Sequence, residues 1–322
     1  MRPIGRPFFI LHSSFFIFFM NNYFNQKATN KYTDYPVKEP SELLSFLLTN
    51  LSGTSRTRIK ELLSQRMVYV DKKITTQFNT PLRPGMLVQI CNKRHKHTLN
   101  SRWVKLVYED AFLIVVEKAN GILTNALPGS RTQTVKDILD EYVKRQNRAF
   151  AVHTVHRLDR ETSGLLLFAK RRDIQQIFME HWKKIVTDRR YIAVCEGQME
   201  KDQGTVQSWL TDNRMFVTYS STFDNGGREA ITHYRTLRRS EGYSLVELKL
   251  DTGRKNQIRV HMQDLHHSIA GDYKYGAQTN PIDRICLHAF RLCFTHPITG
   301  QPLRFETPYP SAFTDILKEN KK

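Results

Sequence analysis

The chain has 322 residues, 40% of them hydrophobic, and a formal net charge of +18. That is enough apolar material for one large domain and a small one, and a positive excess of this size points to a polyanionic partner, either nucleic acid or an anionic membrane surface. The four cysteines, Cys91, Cys195, Cys286 and Cys293, form no C-x-x-C pair, which argues against a disulfide framework and a zinc site and fits a reducing, cytoplasmic setting.

In chain order, Phe8–Met20 is an apolar run behind Arg2 and Arg6. It has the outline of a signal peptide but is short for a membrane span and lacks a small-x-small cleavage site. The preferred explanation is an overcalled start, with Met20 as the true one and no membrane partner. Residues 1–40 are therefore read as an extension, polar and flexible up to Pro36 and Pro40. Ser41 is expected to cap a helix with Leu44, Leu47, Leu48 and Leu51 on its inner face. Ser52-Gly53-Thr54 breaks it. A second helix from Ser55 turns Ile59, Leu62 and Leu63 inward and Arg56, Arg58, Lys60 and Arg66 outward. Met67–Val70 reads as a strand, Lys72-Lys73 as a turn, and Leu82–Ile90 as strands around Pro84-Gly85. Residues 41–91 form a small domain on this reading. Residues 92–102 read as a linker, with His95 and His97 solvated rather than paired on a metal.

The rest, from residue 103 to 322, reads as one mixed domain. Expected strands are Val104–Tyr108, Leu113–Glu117, Leu165–Ala169, Tyr191–Glu196, Thr205–Leu210, Met215–Ser220, Glu229–Leu237, Tyr243–Leu250, Ile285–Thr295 and Leu303–Phe305. Thr134 is expected to cap a helix over Val135–Arg145 and Asp173 another, with Ile174, Ile177, Phe178 and Ile185 inward. Further helices are expected at Gln257–Leu265 and Ala312–Glu319. Strands this frequent and this often hairpin-linked predict an α+β fold with a mainly antiparallel sheet and helices on its flanks.

Polar content beyond packing needs concentrates in four stretches: His156–Gly164, Arg190–Ala193, Thr252–His261 and Gly271–Gly276. In the first, charged residues stand directly against the buried run Leu165–Ala169. Asp159 sits where the chain turns before Gly164. It is either a turn former accepting backbone N–H bonds or a carboxylate held at the floor of a cleft.

The four stretches together resemble the RluA family of pseudouridine synthases. The match to H-R-L-D-R-x-T-S-G is complete at His156–Gly164. Thr252–His261 resembles T-G-R-x-H-Q-I-R-V-H with Asn256 in place of His, Gly271–Gly276 resembles G-D-x-x-Y-G, and Leu287-His288-Ala289 resembles a later motif. The two helices and hairpin of residues 41–91 resemble the S4 RNA-binding domain, departing at Arg66, where a Gly is usual, and at Asp71-Lys72, where Asn-Gly is usual. The resemblance implies an enzyme that isomerises uridine in structured RNA, ribosomal RNA ahead of transfer RNA. It implies no cofactor and no metal, because nothing is oxidised or lost. It implies Asp159 as nucleophile, Arg259 as its guanidinium partner, and Tyr191 stacking on the uracil with its hydroxyl aiding removal of the C5 proton. Arg157, Arg160, Thr162, Arg254 and Lys255, with Arg56, Arg58 and Lys60 of the small domain, are the expected RNA contacts, and Arg189 and Arg190 are further phosphate candidates. Leu158, Thr162 and the Arg157/Arg160 pair are placed to hold an everted strand, and His156 to brace the loop. A monomer is expected. The rival readings are a catalytically inert RNA-binding protein of ribosome assembly and a membrane-surface protein anchored by Phe8–Met20.

Overall fold

The structure is a computed structural model that describes residues 32–64, 67–91, 99–215 and 217–318. The expectations for Phe8–Met20, Arg66, His95 and His97 fall outside those residues. The chain divides into two units between Lys96 and His97.

In the first unit the elements run β1 (Tyr32–Pro36), β2 (Ser41–Glu42), α1 (Leu43–Asn50), α2 (Arg56–Ser64), β3 (Val68–Val70), β4 (Lys73–Ile74), β5 (Pro81–Leu82) and β6 (Leu87–Cys91). Strand order is β1-β6-β3-β4, with β2 on β5. The lead-in read as flexible is corrected here: β1 pairs along its whole length with β6, and Val37 behind it is buried. Ser41 does not cap α1, since it lies in β2 and the cap position is Glu42. The buried face is Leu43, Leu44, Phe46 and Leu47, and Leu48 is exposed. On α2, Ile59, Leu62 and Leu63 are buried and Arg56, Arg58 and Lys60 exposed. The hairpin turn is Asp71-Lys72, both at positive φ, one residue ahead of the expected Lys72-Lys73.

The second unit runs β7 (Val104–Glu109), β8 (Leu113–Lys118), α3 (Val135–Gln146), β9 (His153–Thr154), β10 (Ser163–Ala169), α4 (Arg172–Ile185), β11 (Val186–Glu196), β12 (Gln203–Asp212), β13 (Thr218–Ser221), β14 (Arg228–Arg239), β15 (Tyr243–Leu250), α5 (Gln257–Asp264), β16 (Leu287–Thr295), β17 (Pro302–Glu306) and α6 (Ser311–Ile316). They form one 11-stranded sheet ordered β13-β12-β14-β15-β11-β16-β10-β8-β7, with β17 on β16 and β9 on β10. Neighbours are antiparallel except β10 and β16. The α+β, mainly antiparallel expectation is the observed fold. Thr134 caps α3 in a reciprocal bond pair with Asp137. Asp173 does not cap α4: it lies in the first turn, paired with Arg171, which holds the cap position. The alternation read on β15 is also corrected. Leu245, Val246, Glu247 and Leu248 are all buried, because this strand lies mid-sheet with both faces covered.

The parallel crossing fixes the position of the segment that carries Asp159. Gly164 has φ +119, and a Cβ there would lie 2.2 Å from the Ala289 carbonyl oxygen of β16. Only glycine fits this approach. Around the crossing His288 bonds Ser163 through Nδ1 and Thr307 through Nε2, both at 2.8 Å. On α5, His261 bonds Ser208 at 2.9 Å and Thr232 at 2.8 Å. Burial pulls His261 down to about 4, and burial with the Arg284 charge does the same to His288.

Gly164→Ala is expected to cost more than ~3 kcal/mol, since both backbone conformation and space forbid the methyl; urea unfolding measures it, and a loss under ~1 kcal/mol would contradict the crossing. The histidines give a pH prediction. The unfolded chain protonates them near 6.5 and the folded chain only near 4, so the unfolded state binds more protons between those values. Stability is full above pH 6.5 and falls toward pH 4, by at most ~1.4 kcal/mol per pH unit for each group. His261→Gln should flatten the fall of the thermal midpoint over that range.

Candidate active site

The turn bearing Asp159 is held by backbone bonds. Thr162 N–H donates to the Asp159 carbonyl at 3.2 Å, and Gly121 N–H to the Arg160 carbonyl at 2.8 Å. The Thr124 hydroxyl donates to the Leu158 carbonyl at 2.8 Å. His156 Nε2 accepts the Leu167 N–H at 3.0 Å, so the ring braces the strand end. Burial, with the nearby Arg189 charge, drops His156 to about 3, and the neutral ring carries its proton on Nδ1. Beneath the turn lies Lys118, fully buried at the end of β8. Its ammonium donates to the carbonyls of Ala119 and Ile122 at 2.8 Å and of Arg160 at 3.0 Å. Burial pulls it down to about 7, while the Glu161 and Asp159 carboxylates push the other way. The sequence reading ended that strand at Glu117 and gave Lys118 no role. The available signal was a lysine closing a run of buried β-branched residues.

The Asp159 carboxylate faces a cleft of about 720 Å³ within the second unit. Among the described residues it makes no bond to a backbone N–H. Its ion pair is with Arg259 Nη1, at 3.7 Å from Oδ2. Arg259 projects from α5, whose start is set by Asn256 in the left-handed conformation, φ 53. Its principal partner differs from the expectation. Nε and Nη2 bind both oxygens of Asp272, at 2.6 and 2.7 Å, leaving Nη1 for the Asn256 side-chain oxygen at 3.2 Å and for Asp159. A buried guanidinium is best answered by a buried counter-charge, and the Asp159 side chain is 24% exposed. Asp272, 1% exposed, supplies it. Burial works against the charge on Arg259, but Asp272 and then Asp159 outweigh it, and its pKa is raised. The Tyr275 ring lies under the guanidinium at 4.8 Å, and its hydroxyl accepts from Asn256 Nδ2 at 2.8 Å. Asn256 thus ties Tyr275 to Arg259. Asp272 and Tyr275 stood in a quoted motif but had been given no role.

Tyr191, on β11, lines the same cleft. Burial first, then Asp159, raises its pKa, with Arg189 opposing. A neutral phenol is a weak base, and what it offers the cleft is an aromatic face and a hydroxyl. Arg157, Thr162, Arg254 and Lys255 also line the cleft, although Arg254 bonds the Glu229 carbonyl and Lys255 pairs with Asp212. Arg160 is exposed and outside the lining, and contributes its carbonyl to the turn. Leu158 also borders the cleft, with most of its side chain packed in the core. Arg190 is held by Asp188 and Glu247. Arg56, Arg58 and Lys60 belong to the other unit, where Arg58 pairs with Glu61. Among the described residues no group of three His, Cys, Asp or Glu side chains is placed to hold a metal.

The family model described as "RNA pseudouridylate synthase" matches residues 112–264. The chain is 33% identical over 66% of its length to the Bacillus subtilis protein named uncharacterized RNA pseudouridine synthase YhcT, covering 71% of that protein. It is 30% identical over 82% of its length to ribosomal large subunit pseudouridine synthase D of Nitrosomonas europaea, covering 80% of it. Human RNA pseudouridylate synthase domain containing 1 has a similar fold, with TM-score 0.52 and 24% identity over 66% of this chain and 84% of that one.

Asp272→Asn strands half of a buried pair and is expected to cost ~3–5 kcal/mol in chemical unfolding. Replacing both partners, Arg259→Met with Asp272→Leu, should recover most of that stability. Equal losses in the single and double variants would contradict the pairing.

Proposed function

Since this chain belongs to the RluA family of RNA pseudouridine synthases, isomerases that convert uridine in RNA to pseudouridine, we propose that Asp159 is its nucleophile and ribosomal RNA its substrate. The observation that carries the assignment is the Asp159 carboxylate in the cleft, 3.7 Å from the buried Arg259 guanidinium. The reaction breaks N1–C1′ and forms C5–C1′. The Asp159 carboxylate takes C1′ as the first bond breaks, the uracil turns over the Tyr191 ring, and C5 then displaces the carboxylate. The C5 proton is lost and N1 gains one, so atoms balance. Arg259 offsets the carboxylate charge in the desolvated cleft. The ribosomal substrate is supported by the name of the Nitrosomonas relative. The first unit is proposed as an S4-like RNA anchor acting through the exposed Arg56, Arg58 and Lys60 of α2. Arg157 is the proposed holder of the opened strand beside the everted base.

Pseudouridine mapping of RNA from cells lacking the protein should show specific positions lost and restored by the wild-type gene. Asp159→Ala should restore none, with turnover on the purified RNA reduced about a thousandfold or more and RNA affinity within a few-fold of wild type. Near wild-type turnover by Asp159→Ala would remove it from the role.

A further inference from the structure

Arg189 lies on β11 two residues before Tyr191, and both side chains line the Asp159 cleft. It is only 9% exposed. A buried guanidinium ordinarily meets a carboxylate or saturates its five N–H donors. Arg259 does the first. Arg284, also without an ion pair among the described residues, uses four of its five donors, in bonds to Ile285, Asn120, Ser163 and Leu287. Arg189 does neither. Among the described residues it has no ion pair, and its one hydrogen bond runs from Nη2 to the Thr252 carbonyl at 3.3 Å. Its guanidinium carbon lies 5.1 Å from the centre of the Trp182 ring, a contact that uses none of its donors. Gly253 packs close beside the guanidinium, where a Cβ would stand 3.1 Å from Nη1. A largely buried cation with unused donors in the wall of the cleft is an anion site.

The anion follows from the surroundings. A second hollow of about 270 Å³ shares Trp182, Lys183, Arg189, Leu250 and Asp251 with the cleft and adds Lys249, so a groove continues outward past Arg189. Of its carboxylates, Asp188 is answered by Arg190 and Arg291, and Asp251 shares a hydrogen bond with His233 Nε2 at 2.8 Å. Two residues of strand span about 7 Å, comparable to the distance from a nucleotide's base to a flanking phosphate. We propose that Arg189 is the phosphate clamp of the target nucleotide, gripping the backbone where the strand leaves the cleft for the Lys183–Lys249 groove. This rests on the proposed pseudouridine synthase reading of the cleft and adds which atom of the substrate is held.

The test uses an oligoribonucleotide around a uridine found by the mapping experiment, with either flanking phosphate replaced by neutral methylphosphonate. Wild-type protein should lose about tenfold in affinity at one of the two positions. Arg189→Gln should lose about as much on the natural RNA and nothing further on that methylphosphonate, with its salt slope lower by roughly one. Gly253→Ala, which keeps the charge but crowds the guanidinium, should show the same non-additivity in smaller measure. Additive losses, or no wild-type loss at either phosphate, overturn the clamp while leaving the synthase reading intact. If no pseudouridine depends on the protein, that reading fails separately. Uridine 5′- and 3′-monophosphate against uridine are then the probes. A nucleotide preference abolished by Arg189→Gln supports the clamp, and equal binding overturns it.

Discussion

A guanidinium taken out of water has to be met by a carboxylate, and the site is arranged around one such pair. Asp272 takes Nε and Nη2 of Arg259 and fixes the guanidinium plane. The remaining nitrogen is thereby directed toward Asn256 and Asp159. The carboxylate that satisfies burial and the carboxylate that faces the cleft are thus different residues. This division suits a group proposed to form and break a bond during each turnover. If Asp159 were Arg259's sole partner, its reaction would leave a buried cation unanswered.

The position of Asp159 depends equally on what lies below it. Gly164 lets β10 meet β16 where no other residue fits. Lys118 gathers three carbonyls on one ammonium, including that of Arg160, next to Asp159. The turn is held through its backbone, so the side chains of Arg157 and Asp159 are left free to face the cleft. Tyr191 and Arg189 come from the neighbouring part of the sheet, on one strand, and need no loop to position them.

Much of this was legible in the sequence. The apolar run after Gly164, the cap at Thr134 and the hairpin-linked strands are local signals, set by side-chain period and turn chemistry, whereas the cleft residues were named from the family resemblance of their motifs. What was not legible is long-range. The partner of Arg259 is 13 residues away along the chain, and no periodicity links them. Lys118 was given no role because nothing local records three converging carbonyls. The cap readings at Ser41 and Asp173 failed because each has the right side chain one or two residues from the true boundary. The strand at Tyr32–Pro36 was masked by Pro36 and its polar residues, and only its pairing with β6 makes it a strand.

The most direct test is a structure of Asp159→Asn protein bound to RNA containing a mapped target uridine. The account predicts an everted uridine in the cleft, its base on the Tyr191 ring, and C1′ within about 3.5 Å of the residue-159 side-chain oxygen, beside an Arg259 still clasped by Asp272. A uridine bound elsewhere, or a C1′ facing another side chain with residue 159 turned away, would contradict it.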